Sequence, residues 1–172
     1  MSFSAIAEEL GVSHAAVLHY FKSLDELLVE VLRRADEQAL AFVSERGAQT
    51  IREQLAFGAE RNVEAEGLMA LYSSMLSAAI EPGNDVSREF FSERFARGRR
   101  ELADSIEKGR REGKVPPGPD AHLIAALILA AFDGLQFQRL LDPSLDLAGT
   151  LDLLAPYIGD AEALESPGAA TG

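Results

Sequence analysis

Residues 3–21, FSAIAEELGVSHAAVLHYF, decide the fold of this chain. Ile6, Ala7 and Leu10 recur at helical spacing and give a first short helix one apolar face, with Ala7 small enough for a second helix to cross close by. Gly11 ends that helix, because glycine takes the left-handed backbone conformation that a sharp turn needs. Val12 is expected to plug the corner, and Ser13 to accept a hydrogen bond from a free amide of the next turn. Val17, Leu18 and Phe21 carry the second helix inward at i, i+1 and i+4. Its outer face presents His14, His19 and Tyr20, side chains able to touch phosphates and base edges. Two short helices crossing at a tight turn are the layout of a helix-turn-helix, although the spacing alone also fits an ordinary helical hairpin.

Around this stretch lies a strongly acidic chain of 172 residues, with net charge −12 and a pI near 4.6. That length holds one sizeable domain, or a small one joined to a larger body with its own core. The charge argues against a surface that grips nucleic acid throughout, so any DNA contact must be confined to one face. The absence of cysteine excludes disulfides, thiolate metal sites and a cysteine nucleophile, and fits a reducing interior. The N-terminus has no basic-then-apolar signal pattern, and no run of 18 uninterrupted apolar residues occurs, so a soluble, cytoplasmic protein with no membrane partner is expected.

Beyond residue 21 nearly every segment reads as helix. Ser23 to Glu26 has the S-x-x-E spacing of a capping box and starts a helix to about Arg46, with Leu27, Leu28, Val31, Leu32, Ala35, Leu40 and Val43 expected on its buried side. Gly47 stops it. Thr50 and Glu53 repeat the spacing ahead of a helix from Ile51 to about Ala65, and a more apolar helix, LMALYSSMLSAAI, ends at Pro82-Gly83. With Asn84 or Asp85 as cap, one long amphipathic helix runs from Val86 to about Glu112, with Phe90, Phe91, Phe95, Leu102 and Ile106 inward. Nine of the 16 basic residues fall between Arg88 and Lys114, but six acids in that span make it a solvated face laced with ion pairs, not a DNA-binding stripe. Lys114 to Pro119, KVPPGP, is a stiff connecting loop. Asp120–Leu141 and Leu145–Ile158 are expected as the last two helices. Both are apolar over more than one stripe, and Ala125, Ala126, Ala130, Ala131 and Gly134 allow close approach, so a second subunit is expected to cover them. The tail from Gly159 to Gly172 is small and polar and is expected to be disordered.

The string IAEELGVSHAAVLHYFKSLDELL, with the helical body behind it and the late motif AAFDGLQFQRLLDP, resembles the TetR family of bacterial transcriptional regulators. The resemblance implies an all-α fold: a helix-turn-helix DNA-binding head plus an α-helical C-terminal ligand-binding and dimerisation domain. It divides the chain into a head with its connecting helix at 1–46, the helical ligand-binding and dimerisation domain at 47–158, and the tail at 159–172. The implied partners are double-stranded operator DNA, a second copy of the chain through helices 120–141 and 145–158, and a small-molecule inducer. Carried over by position, Ser13 falls on the family's cap and phosphate contact; His14, Ala15, Leu18, His19 and Tyr20 fall on the outer face of its recognition helix. Ser2 and Lys22 join the DNA-binding set, and Phe21 is the aromatic that packs the recognition helix inward.

The sequence departs from the family pattern in two ways. The family's first helix, which closes the DNA-binding core, has no counterpart ahead of Met1 and is expected to be missing. Leu24 stands where the family favours a phosphate-binding lysine, and Lys22 where it has proline, so Lys22 is the candidate substitute. From Met1 to Leu32 the charges are Lys22 against Glu8, Glu9, Asp25, Glu26 and Glu30, a balance of −4 that predicts weak phosphate anchoring.

For the ligand, the resemblance points to the helices that carry Phe57, Met69, Tyr72, Met75, Phe91 and Phe95, an apolar set suited to a hydrophobic or aromatic molecule. Tyr72, Ser73, Ser74 and Arg97 are the candidates for orienting it, with plain core packing as the alternative reading for the aromatics and methionines. His14 and His19 lie five apart, a poor spacing for a shared metal, and no metal or other cofactor is expected. The sequence shows no Gly-rich phosphate loop, no HExxH and no nucleophile set, so no catalytic residue is expected. The reading is a ligand-responsive DNA-binding regulator, a repressor released from its operator by a small molecule. The alternative is a dimeric small-molecule sensor or interaction protein that has lost DNA binding.

Overall fold

The protein, a computed structural model, is described over residues 2–64 and 66–158, and for side chains not over 62–66. The tail at 159–172 lies outside the described residues. Among the described residues all regular structure is helical. The head holds α1 (Phe3–Glu9) and α2 (His14–Tyr20), and α3 (Leu24–Glu45) leads from it into the body. There α4 (Ile51–Glu64), α5 (Glu66–Ile80), α6 (Asp85–Arg111) and α7 (Ala121–Leu141) pack together, with the short α8 (Leu147–Asp152) and α9 (Ala155–Ile158) at the end of the chain.

Local chemistry sets most of these boundaries. Gly11, at φ +65°, lets Val12 donate to Ala7 O (2.9 Å) while its own amide reaches Glu8 O (3.1 Å), the paired bonds of a Schellman stop. Ser13 then accepts from Ala16 N at 3.1 Å and starts α2. Ahead of α4 the capping box is reciprocal: Glu53 N donates to Thr50 Oγ1 (3.1 Å), and Glu53 Oε2 accepts from Thr50 N (3.0 Å) and Gln49 N (2.6 Å). These amides, that of Gln49 first, lower the pKa of Glu53. Asn84 stands at the cap of α6 but its amide turns away and donates to Ala78 O (2.9 Å).

The core is centred on α6. Phe90 and Phe91 are buried beside Val29, Leu32, Met69, Tyr72, Met75 and Ala79; full burial of such side chains is each worth about 1.5–3 kcal/mol. Farther along, Ala103 and Ile106 meet Ala121, Ile124, Ala125 and Ile128 of α7, with Ile51 and Val115. A third cluster joins Ala59 and Leu135 to Leu147 and Leu151.

Three expectations are corrected. The buried stripe of α3 runs through Val29 and Leu32, whereas Val31 and Leu40 are exposed, because the faces that meet α6 follow Asp25, Val29, Leu32 and Asp36 at three-to-four-residue steps. Val12 does not plug its corner; its side chain is 46% exposed. The helix expected over Leu145–Ile158 is two helices. Pro156 has no amide for the Asp152 carbonyl and its ring would collide there, so the chain tightens instead, with Leu153 N on Thr150 O (3.3 Å) and Leu154 N on Leu151 O (2.9 Å).

Candidate DNA-reading face and effector core

In the head, Ala7 of α1 and Val17 of α2 are the buried residues, and the two helices pack on one another. Phe3 lies 6.2 Å from the His14 ring. Ser2 caps α1, accepting from Ala5 N at 3.3 Å. Ser2, Ser13, His14, Ala15, Leu18, His19, Tyr20 and Lys22 are all exposed, while Phe21 is half-buried. Leu18 therefore faces out, with Val17 as the inward residue of the pair. His19 and Tyr20 make an edge-on ring pair at 5.2 Å, and Tyr20 is 77% exposed. The Lys22 backbone is tied down, its amide donating to Glu26 Oε2 at 2.6 Å.

Of the six residues assigned to the effector, Met69, Tyr72, Met75 and Phe91 fall in one buried cluster, with Phe95 packed against it. Phe57 stands apart on α4: the Arg46 guanidinium lies 5.5 Å from its ring and 4.6 Å from that of Phe42.

What hydrophobic spacing does not reveal is polar. Tyr72 Oη donates to Asp133 Oδ2 (3.2 Å) and accepts from Arg94 Nη1 (3.0 Å), and Arg94 Nε donates to both oxygens of Asp36 (2.9 and 3.2 Å). Four helices meet there: α3 through Asp36, α5 through Tyr72, α6 through Arg94 and α7 through Asp133. Phe91 packs edge-on against Tyr72 at 5.1 Å and Phe137 lies 5.9 Å away. Burial, then Asp133, pushes the Tyr72 phenol far above its usual range, so it stays a donor. Burial likewise raises Asp133, against the opposing pull of Arg94 and the Tyr72 hydroxyl. For Arg94, burial works against the charge but Tyr72 and Asp36 outweigh it and hold the guanidinium protonated.

Arg94 was legible in the sequence, since it lies on the face set by Phe90, Phe91 and Phe95. Arg97, one of the four expected orienting residues, reaches only Asp36 among the described residues, at 3.8 Å. Ser74 is spent on its own helix, donating to Ala70 O (3.0 Å). Nearer the head, α3 and α6 are joined again: Asp25 accepts from Ser87 Oγ and from Ser87 N (3.2 Å), and Ser87 is fully buried. Among the described residues no group of three or more His, Asp or Glu side chains is placed to hold a metal.

A helix-turn-helix joined by one long helix to an all-helical body defines a DNA-binding regulator with an effector domain. The model of the bacterial regulatory proteins of the tetR family matches residues 1–31, and the C-terminal model of BetI-type transcriptional repressors matches residues 43–161. The chain belongs to the TetR family of bacterial transcriptional regulators, a generally non-enzymatic family. Its fold is that of a transcriptional regulator of Rhodococcus sp. RHA1 (24% identity, TM-score 0.69, covering 91% of this chain and 84% of the other). It is also that of a TetR-family regulator of Rhodococcus sp. (21%, 0.72, 90% and 87%). A Saccharomonospora viridis protein assigned as a transcriptional regulator and solved in complex with choline gives 23% identity and a TM-score of 0.71, over 92% and 87% of the two chains. No curated protein matches the sequence.

Proposed function

We propose that this regulator is a cytoplasmic repressor that works as a homodimer, reads an operator with α2 and leaves it when a small organic cation enters the core around Tyr72. His14, Ala15, Leu18, His19 and Tyr20 face base edges in the major groove, and Ser2, Ser13 and Lys22 touch phosphates. The second copy packs on the outer faces of α7 and of the chain behind it. Leu123, Leu127 and Leu141 are exposed there, with open space over Gly134, and Leu153 and Tyr157 extend the patch. By length and composition α7 could cross a membrane; a core face plus a dimer face accounts for the same two-sided apolarity.

The observation that carries this reading is the four-helix polar cluster. Arg94 already has Asp36, whereas among the described residues Asp133 has only the Tyr72 hydroxyl, so the carboxylate beside Tyr72, whose ring meets Phe91 and Phe137, is left to meet a cation. A cation at Asp133 draws Tyr72 away from Arg94 and changes the grip of α6 on α3. Because α3 carries the head, the two recognition helices then lose the roughly 34–36 Å spacing of successive major grooves. Calorimetry and an operator-shift assay with choline as probe test this. Choline is expected to bind the wild type and release the DNA, and Asp133→Asn to weaken it at least tenfold. Equal binding by Asp133→Asn would sink the assignment, and no DNA binding by the full chain even at low salt would favour a sensor without an operator.

A further inference from the structure

A separate cavity of about 520 Å³ opens on the side of the body formed by α4, α7, α8 and α9, within the roughly 300–1,000 Å³ range of small-molecule sites. None of the residues of the Tyr72 core lines it. Leu55, Leu147 and Leu151 supply an apolar wall, and four charged side chains stand around it: Arg52, Glu60, Arg139 and Asp152. Three of these are engaged. Arg52 Nη2 lies 2.7 Å from Asp152 Oδ2, and Glu60 takes two hydrogen bonds of 3.1 Å from Arg46. Arg139 is half-buried and pairs with no carboxylate or carbonyl oxygen among the described residues. Its place in the last turn of α7 favours a positive charge, but a helix end does not use up a guanidinium's donors. That planar group presents five N–H bonds in a fork that fits a carboxylate. The cavity thus joins a greasy wall to one uncommitted cation.

We propose that this cavity binds an amphiphile with an aliphatic tail and a carboxylate head, the tail along Leu55, Leu147 and Leu151 and the head on Arg139. The site is independent of the Tyr72 core and takes the opposite charge. Being framed by α4 and α8, it can sense its ligand without disturbing the links between α3 and α6.

Calorimetry on the full chain with decanoate, decanol and decyltrimethylammonium isolates the head-group, since the tail is common to all three. Decanoate is expected to bind at least tenfold more tightly than decanol, as a charge-assisted pair requires, and the ammonium compound not to compete. Arg139→Gln should erase the preference for the acid and Arg139→Lys restore part of it. Ala148→Phe, which fills the cavity from α8, should abolish decanoate binding, while Asp133→Asn leaves it unchanged. Equal affinity for acid and alcohol, or an undiminished preference in Arg139→Gln, overturns the proposal. So does decanoate binding that survives Ala148→Phe and fails in Asp133→Asn, which would place the ligand in the Tyr72 core. If Arg139→Gln melts at the bench, the cavity-filling variant still decides, because Ala148 is exposed.

Discussion

Replacing Asp36 by asparagine tests whether α3 is held to α6 by charge or by packing alone. The change keeps the shape of the side chain but removes the negative partner of Arg94, which donates Nε to both carboxylate oxygens. The two side chains are 24% and 26% exposed, so the pair lies between two limits. Exposed ion pairs contribute about 0–1 kcal/mol, and breaking a fully buried pair costs about 3–5 kcal/mol. Arg94 keeps its bond to Tyr72, which places the loss near 2 kcal/mol, against a total stability of about 5–15 kcal/mol. For a chain of this size each kcal/mol shifts the melting temperature by about 2–4 °C, so Asp36→Asn should melt about 4–8 °C below the wild type by calorimetry. A double-mutant cycle with Arg94→Gln separates the pair from its surroundings, and its coupling energy should be about 1 kcal/mol or more. A drop below about 1 °C, or additivity within about 0.3 kcal/mol, would refute the reasoning and leave the attachment to the apolar stripe of Val29 and Leu32 and the bonds of Ser87 to Asp25.

Two further outcomes bear on the body. Burial raises Asp133 above the ordinary aspartate value of 3.8, so on raising the pH the unfolded chain loses this proton first and the folded state is penalised. Asp133→Asn should therefore raise the melting temperature at neutral pH, with the advantage shrinking as the pH falls toward 3.8 and absent below it; melts from acid to neutral pH in which the advantage grows on acidification contradict the sign. Gly109→Ala should lower stability, because a Cβ there would lie 2.5 Å from Val115 Cγ2, in the turn that returns the elbow to α6. Overpacking costs about 1–3 kcal/mol and alanine returns about 1 kcal/mol of helix propensity, so a net loss near 1 kcal/mol is expected in urea unfolding.

On the proposed reading, the cost to stability of keeping the Asp133 carboxylate in the core is offset by its use in binding. Asp133→Asn therefore carries paired expectations, a more stable protein and a weaker hold on choline. The same substitution can thus separate a functional acid from a structural one. The head poses a different problem, since its recognition face is exposed but its charge is negative overall. On the proposed reading, base-edge contacts from α2 set sequence preference, while affinity should be low and, resting on few phosphate contacts, should fall only shallowly with salt.

The sequence by itself determined the elements that local chemistry controls. Gly11 and Gly47 stop helices because glycine takes their left-handed backbone angles without strain. Ser13, Ser23 and Thr50 start helices by satisfying free amides, and the helical spacing of Phe91, Phe95, Leu102 and Ile106 shows which side of α6 turns inward. Only the tertiary structure decided where polar side chains meet. Asp36, Tyr72, Arg94 and Asp133 are far apart in the chain, and their pairing depends on the crossing of four helices, which hydrophobic spacing does not specify. For the same reason Asp25 and Asp36 hid on the buried stripe of α3, where an apolar pattern would not look for them. Pro156 could have been read as the break it causes; the cavity beside Arg139 could not, because it exists only in how α4, α7 and α8 fail to close upon one another.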